Sequence, residues 1–513
     1  MTLSYKGIFN AFLLLICVSA MLLSYLSFAP TKVRNQLSFH QYQQDIKLLL
    51  QVINQHSSFA AIAPKQQIKM SQIAARLIEQ SQGFNSQEQL QGQLQKLLSQ
   101  LNDPAAKALL PNKTVVDKLP VNLHFDGQYW LAFTPEGELI DAEFPYLSHI
   151  DGLPIKRWQQ ASEAYLAGSL KQSTAAQAQW LTQIVQLRIE IGLKHSSHAL
   201  LTLSDGETHI QRSLALVATS KMPISAPPNQ ELILRLPAKV DANNIATLNQ
   251  HLYRQQESVS PSALIVDIRA IKQPQPLLMA WLNKHFNQST SLHSTTLAVM
   301  QYKRFAHARA DRIASQYIPM TDLDFFEQTT LKNQGFDNQL NPSKAFSHFL
   351  VRRNSPSTLP ILPSISEQVP LFLHVDSSCE QECEWIALAS AHLPHVTLIG
   401  ETTSGNLGPL HNLTLPNSGI QIQFSAGLTY TPDGQLFSGV GLTPEVFLNQ
   451  KLGKITAEQP KSWHDIQQVF KSRGLHLQLI GNHLVSKPDT NLSAELNFNS
   501  PYDELSSILK PFG

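Results

Sequence analysis

Charged side chains are scarce in this sequence. Asp, Glu, Lys and Arg make up only 15% of its 513 residues, and the formal net charge is +1. A typical globular chain carries roughly a quarter charged residues. Binding to nucleic acid needs a strong positive field, which so few and so balanced charges do not supply. We therefore expect no nucleic-acid partner.

Cysteine is scarcer still, with only Cys17, Cys379 and Cys383. Three cysteines are too few for a metal site by themselves, and we expect neither a metal nor a cofactor. Cys379 and Cys383 could bridge in an oxidising compartment. However, side chains four apart in a regular helix do not meet disulfide geometry without distortion. A disulfide is favoured here, and two free thiols are the alternative.

Long apolar runs are missing after the first 35 residues. The run from Ile8 to Ala29 has no charge and, at ~1.5 Å per residue, is long enough to cross a ~30 Å hydrocarbon layer. We predict that residues 1–35 form an uncleaved membrane anchor, with a cleaved signal segment as the alternative. Because no second such run follows, the remainder should lie on one side. The expected location is an inner-membrane anchored protein with a periplasmic, extracytoplasmic ectodomain.

The pattern along the ectodomain changes several times, which predicts several units. Residues 36–117 carry apolar side chains at helical spacing on Gln-rich faces, and residues 118–222 alternate like short strands around a helical stretch. The predicted units are a helical subdomain (36–117), a small α+β module (118–222), a main core (223–448) and an appended C-terminal unit (449–513).

The pattern of the main core predicts an α/β fold. Its segments "ELILRLPA", "ALIVDIR", "LFLHVD" and "VTLIGE" are apolar strands separated by helical patterns, which is typical of a parallel sheet covered by helices. Residues 289–368 contain only weak helix signals, so we expect an irregular segment that caps or flanks a cleft. "LFLHVD" runs into "SSCEQECEWIALA", a strand-to-helix junction where many α/β hydrolases place a nucleophile.

Five segments carry a resemblance to a known family. They are "SHIDGLPI", "ALIVDIRAIKQP", "LIGETTSGNLG", the pair "LPNSG" and "TPDG", and "GVGLTPEV". In this order and spacing they resemble the tail-specific protease family, the carboxyl-terminal processing serine peptidases with their tricorn-core and retinoid-binding relatives. The resemblance covers roughly residues 103–446. It implies a crotonase-like core and, by fold, a serine-type peptidase.

The same resemblance implies that the catalytic positions have changed. Counting back from the Gly-Glu turn places the family's nucleophilic serine at Gln381. The lysine base of the processing peptidases aligns with Asn406, and its companion glutamine aligns with Leu410. The histidine of the tricorn-like branch aligns with Ala105. A glutamine amide cannot attack a carbonyl, so the resemblance implies a catalytically degenerate member.

The oxyanion turn of the family has also changed. Its glycines correspond to Ala270, Gln273 and Pro274, and proline has no N–H to donate. The N–H groups of Ala270 or Ile271 are the remaining candidate donors into the cleft. The residues expected to line the binding groove are Arg269, Ala270, Ile271, Gln381, Gly405 and Asn406.

Replacement nucleophiles lie close to the changed serine position. Ser377, Ser378, Cys379 and Cys383 all fall within a few residues of it, and the family fold would bring His374, His395 and His411 near it. Ser378 and Cys379 are the fallback nucleophiles, because a thiolate needs only a nearby base or a helix N-terminus. The structural interpretation of Cys379, as half of a disulfide or a small buried residue, is favoured. The acidic cluster around it opposes thiolate formation.

Three functions follow as hypotheses. The first is a membrane-anchored, degenerate protein that binds or scaffolds peptide or protein segments in the cell envelope. The second is an active peptidase of the same family with a relocated serine or cysteine nucleophile. The third, weaker one is a cleft for a small apolar ligand, which the retinoid-binding relatives imply.

Overall fold

A computed structural model of the chain places most of the sequence. The described residues are 5–28, 37–80, 86–111, 117–125, 128–135, 138–218, 233–256, 264–286, 295–304, 317–336, 345–354, 371–391, 393, 396–447, 476–480 and 483–487.

The first helix, α1 (Tyr5–Phe28), contains the long apolar run of the sequence. Across the described residues, no helix is both long enough and apolar enough to cross a membrane. The membrane anchor over residues 1–35 stays a prediction from the sequence.

Four helices build a compact N-terminal layer. Ser38 caps the first of them through a capping box with Gln41, which satisfies backbone N–H groups that the helix start leaves open. One apolar face of each helix is buried, as the three-and-four spacing predicts. The helices are α2 (Phe39–His56), α3 (Ser58–Ile62), α4 (Pro64–Gln80) and α5 (Gln87–Ser99).

The α+β module is an antiparallel sheet with helices packed on one cluster of apolar side chains. The predicted helical stretch is split into three short helices. The strands are β3 (Asn122–Phe125), β4 (Trp130–Phe133), β5 (Tyr146–Ile150), β6 (Leu153–Pro154), β7 (His198–Ser204) and β8 (His209–Ala215). The helices are α6 (Ile155–Glu163), α7 (Thr174–Leu181) and α8 (Ile184–Ile191).

The main core contains the predicted parallel sheet, in the order β10-β11-β15-β16-β20. Three of its strands, β11, β15 and β16, are buried at every position, which is why the sequence shows continuous apolar runs. The strands are β10 (Ile233–Arg235), β11 (Leu264–Asp267), β15 (Leu371–Val375), β16 (Val396–Gly400) and β20 (Val446–Phe447). The helices are α9 (Ala242–Gln256), α10 (Pro276–Phe286) and α12 (Glu382–Ser390).

The prediction that residues 289–368 are irregular was wrong in part. They supply three strands of a second, antiparallel sheet in the order β13-β14-β12-β19. The hydrophobic periodicity does not reveal these strands, because each pairs with a strand that is distant in sequence. The elements are β12 (Thr295–Tyr302), β13 (Ile318–Pro319), β14 (Leu350–Asn354), β19 (Gly427–Tyr430) and helix α11 (Phe325–Asn333).

A small third sheet joins the N-terminal helices to the main core, in the order β1-β18-β17. It consists of β1 (Lys107–Leu109), β17 (Leu410–Thr414) and β18 (Gln421–Ser425). Two further pairs are β2 (Asp117–Lys118) with β9 (Val217–Ala218), and β21 (His476–Ile480) with β22 (His483–Lys487). Most of the predicted C-terminal unit (449–513) lies outside the described residues.

Asp45 of α2 fastens that third sheet to the helical layer, and its removal should destabilise the protein. Its carboxylate is fully buried and accepts hydrogen bonds from the N–H groups of Asn417 and Ser418, at 3.2 and 2.8 Å. Asp45→Ala leaves these donors without a partner, so we expect a loss of about 2–4 kcal/mol in the free energy of unfolding. Urea denaturation measures it. A loss no larger than that of the exposed control Asp433→Ala would contradict this role.

Candidate functional site

The carboxyl ends of β11, β15 and β16 lie side by side in the parallel sheet. In open α/β sheets this edge is where ligands bind. The loops that leave the three strands, residues 268–275, 376–381 and 401–409, therefore meet at one place. They contain almost all of the predicted site residues.

Gln381 occupies a strained turn directly before α12. Its backbone has φ 52° and ψ −113°, and positive φ is found at only three non-glycine residues of the described chain. Such backbone angles persist only where the surroundings hold them, and they are concentrated at functional sites. The turn therefore presents residue 381 in the way that a nucleophile would be presented.

The side chain at this turn is bound to the neighbouring loop. The Gln381 amide Nε2 donates to the backbone oxygen and Oδ1 of Asn406, at 2.9 and 2.8 Å, and lies 3.2 Å from the backbone oxygen of Gly408. The Gln381 N–H also donates to the Asn406 oxygen. Gln381 and Asn406, which the resemblance aligns with two catalytic positions, are thus in contact. Here they form an amide–amide contact with no acid, base or nucleophile.

A buried carboxyl group holds the other side of the same loop. Glu384 is fully buried and accepts hydrogen bonds from the N–H groups of Gly405 and Asn406. Burial raises the pKa of Glu384 to about 8, although these N–H groups favour its ionised form. Gly405 has φ +75°, and a Cβ there would lie 2.7 Å from the nitrogens of Gly439 and Gly441. Glycine is therefore required at this position.

The two remaining changed positions meet in the third sheet. Leu410 of β17 pairs with Ser425 of β18. The buried carboxylate of Asp103 accepts from the N–H and hydroxyl of Ser425, at 2.6 and 2.8 Å, and from the Ala105 N–H at 3.0 Å. The Ala105 methyl group is fully buried. The fold thus positions Ala105 and Leu410 beside one strand, but neither side chain can carry a proton.

The predicted oxyanion donors are not available in the way we expected. The Ile271 N–H donates to the backbone oxygen of Ile268, and the Ile271 side chain is fully buried in the core. The exposed residues of this turn are Ala270, Lys272, Gln273 and Pro274. The expectation that Ile271 points its N–H into the cleft was therefore wrong, because the turn uses that group to close itself.

Arg269, predicted to bind ligand, is instead part of a buried ion-pair network. Its guanidinium bonds Asp267 at 2.8 Å and Asp376 at 2.6 Å. Burial disfavours charge here, yet Arg269 keeps the pKa of both carboxyl groups below their usual range. The Ser378 N–H and hydroxyl donate to Asp376 at 2.7 and 2.6 Å. Ser378 therefore faces a carboxylate that is too weak a base to activate it.

Cys379 and Cys383 are joined by a disulfide, with both side chains fully buried. The helix α12 begins at Glu382, so Cys379 lies in the preceding turn and only Cys383 is helical. This placement removes the geometric objection to a bridge between residues four apart. With the sulfur in a disulfide, Cys379 has no thiolate. Among the described residues, no group of three or more His, Cys, Asp or Glu side chains could hold a metal ion.

Two of the three predicted histidines, His374 and His411, lie among the described residues. His374 lies within β15, and burial lowers its pKa to about 4. His411 stacks between His56 and Phe424, with ring centroids 4.3 and 5.1 Å away. His395 lies outside the described residues.

A cavity of about 690 Å³ opens beside the strained turn. It lies between α5, the helices of the α+β module and residues 377–380. Lys107 forms an ion pair with Glu380 at 2.5 Å, and the Lys272 ammonium donates to the Ser378 backbone oxygen at 2.5 Å. Burial lowers the pKa of Lys272. Sequence reasoning missed both lysines, because neither belongs to a motif and only tertiary packing brings them together.

No protein-family model matches the sequence, and no curated protein matches it. Solved structures do. Mature CPAF is 13% identical with a TM-score of 0.51, and the match covers 80% of this chain and 93% of that one. A mutant of CPAF is 12% identical with a TM-score of 0.55, covering 85% of this chain and 97% of that one. The chain therefore has the α/β fold of the tail-specific proteases.

The buried Glu384 should make stability depend on pH. Because the pKa of Glu384 is raised in the folded state, folding favours the protonated carboxyl group. The stability that this group contributes is fully present below its pKa in the unfolded chain and is lost as the pH rises towards about 8. Relative to Glu384→Gln, the wild type should lose stability between about pH 5 and pH 8, by at most about 1.4 kcal/mol per pH unit. Denaturation at several pH values measures this difference. Parallel curves for the two proteins would contradict it.

Proposed function

We propose that this protein binds extended peptide segments and does not hydrolyse them. The observation that carries this proposal is the side chain of Gln381. It stands at the strained turn where the fold presents a nucleophile, and its amide is bonded to the loop at residues 406–408. An amide nitrogen held by carbonyl oxygens has neither the lone pair nor the freedom to attack a substrate.

The surrounding groups support the same conclusion. Nucleophilic catalysis needs a base within hydrogen-bond reach and donors for the developing oxyanion. The positions at which the fold family carries a base hold Asn406 and Ala105, and the Ile271 N–H is used within its own turn. A binding function needs none of these groups, whereas the cavity and the fold are retained.

We place this function outside the cytoplasm as part of the proposal. Disulfides persist in oxidising compartments and are rare in the cytosol. The buried bridge between Cys379 and Cys383 supports a periplasmic or other extracytoplasmic location in the cell envelope.

The proposal predicts peptide binding without turnover. We expect purified full-length protein to raise the anisotropy of fluorescent peptides and to leave an unfolded protein substrate uncut. Gln381→Ser should remain inactive, because a serine hydroxyl without a base is a poor nucleophile. Gln381→Asn is the matched control for loss of the amide contacts. Any turnover by the wild type would overturn the proposal, and turnover that Gln381→Asn leaves unchanged would place the chemistry at another residue.

Hydrolysis at a relocated nucleophile is a second candidate, favoured by one contact. The hydroxyl groups of Ser377 and Ser173 lie 2.6 Å apart, and Ser173 lies 3.1 Å from the Glu401 carboxylate. Hydroxyl hydrogens can rotate, so the Ser377 hydroxyl can donate to Ser173 Oγ while the Ser173 hydroxyl donates to the Glu401 carboxylate. Burial raises the pKa of Glu401, which makes it a better base than Asp376. Ser377 also lines the cavity.

A fluorophosphonate probe distinguishes the two candidates. Under the binding proposal we expect no covalent label between residues 377 and 383 of the full-length protein. The relocated-nucleophile candidate requires a label on Ser377 that is lost in both Ser377→Ala and Glu401→Gln and retained in the neighbouring control Ser378→Ala. Peptide mapping by mass spectrometry reads the result.

A further inference from the structure

The strand β1 has one paired edge and one edge towards the cavity. Among the described strands it pairs only with β18, and it lies at the end of its sheet. All three of its residues, Lys107, Ala108 and Leu109, line the cavity. A strand edge offers backbone N–H and C=O groups to any chain that can reach them.

Two glutamines of α5 occupy that edge. Gln95 accepts from the Ala108 N–H at 2.8 Å and donates to the Ala106 oxygen at 3.2 Å. Gln91 donates to the Ala108 oxygen at 2.7 Å. A strand paired in parallel makes the same two bonds as Gln95, to the N–H of one residue and the C=O of the residue two before it. The Gln95 amide therefore stands where a neighbouring peptide group would stand.

We propose that the cavity receives a peptide as an added strand on β1, and that Gln91 and Gln95 satisfy this edge when no peptide is bound. The inference rests on the proposed peptide-binding function and names how that peptide is held. Addition of a strand to an exposed edge is a general mode of peptide recognition, in which main-chain hydrogen bonds supply affinity.

The walls of the cavity specify the side chains of the peptide. Leu109 is 48% exposed and lies on the same face of the strand as Lys107. Leu110, Trp180 and Val185 provide further apolar surface. A side chain that lies opposite Leu109 on an added strand would cover this surface. The ligand class is therefore an extended peptide with an apolar residue at the position facing Leu109.

A backbone N-methyl scan tests the strand directly. One fluorescent peptide of alternating valine and threonine is made in a series, each member with a single N-methyl group, and is bound to the full-length protein. Because every second N–H of an added strand bonds to β1, we expect affinity to fall about tenfold at alternate positions and to change little between them. A uniform response along the peptide would overturn strand addition.

Glutamine variants test the competition. Gln95→Leu removes the group that occupies the edge, so the peptide should bind about fivefold more tightly than to wild type. Gln93→Leu is the matched control on the same helix, since Gln93 is not one of the two glutamines bonded to β1. If Gln95→Leu does not fold, as judged by circular dichroism, Gln91→Leu replaces it and should show the same direction.

The outcomes separate this inference from the proposed function. Peptide binding with a uniform methyl scan and equal affinities for the Gln95 and Gln93 variants would overturn strand addition and leave peptide binding standing. An absence of binding to the wild type and every variant would overturn both. Alternation in the scan together with tighter binding by Gln95→Leu supports strand addition on β1.

Discussion

The contact between the Gln381 amide and the loop at residues 406–408 is the constraint on which the site depends. It holds two loops from neighbouring parallel strands together and keeps residue 381 in a backbone conformation that few side chains adopt. Glu384 holds the same loop by accepting hydrogen bonds from the N–H groups of Gly405 and Asn406. The strained turn thus presents an amide side chain, which is not a nucleophile.

Buried charge sets the rigidity of the same region. Arg269 joins the ends of β11 and β15 by bonding a carboxylate from each. A buried ion pair is retained only when its geometry and hydrogen bonds compensate for desolvation, which here requires both loops in place. The disulfide adds a covalent restraint within that loop. For the proposed peptide binding, we therefore assign specificity to the cavity walls rather than to movement of the strand ends.

Much of the core could be predicted from sequence, because its physical causes are local. Continuous apolar runs predicted the parallel strands, and the spacing of motifs singled out Gln381 and Asn406, which the structure brings into contact. Other features depend on partners distant in sequence. The antiparallel strands β12 and β14 lack a clear alternation, so their pairing was missed. The start of α12 at Glu382, which permits the disulfide, could not be fixed to a single residue from propensity. The positions of the cavity lysines and of the α5 glutamines beside β1 could not be predicted either, because only tertiary packing brings them there.

The third sheet has a consequence for biosynthesis. Asp103 bonds Ser425 across 322 positions of sequence, and Leu415, Ile420, Ile422 and Phe424 complete the apolar core of the N-terminal helices. Ribosomes add roughly 5–20 residues per second, so the early helices wait for some tens of seconds before their last packing partners emerge. During that interval their apolar faces are uncovered on the nascent chain. The protein is therefore expected to be a client of chaperones that shield hydrophobic surface until translation has passed residue 425.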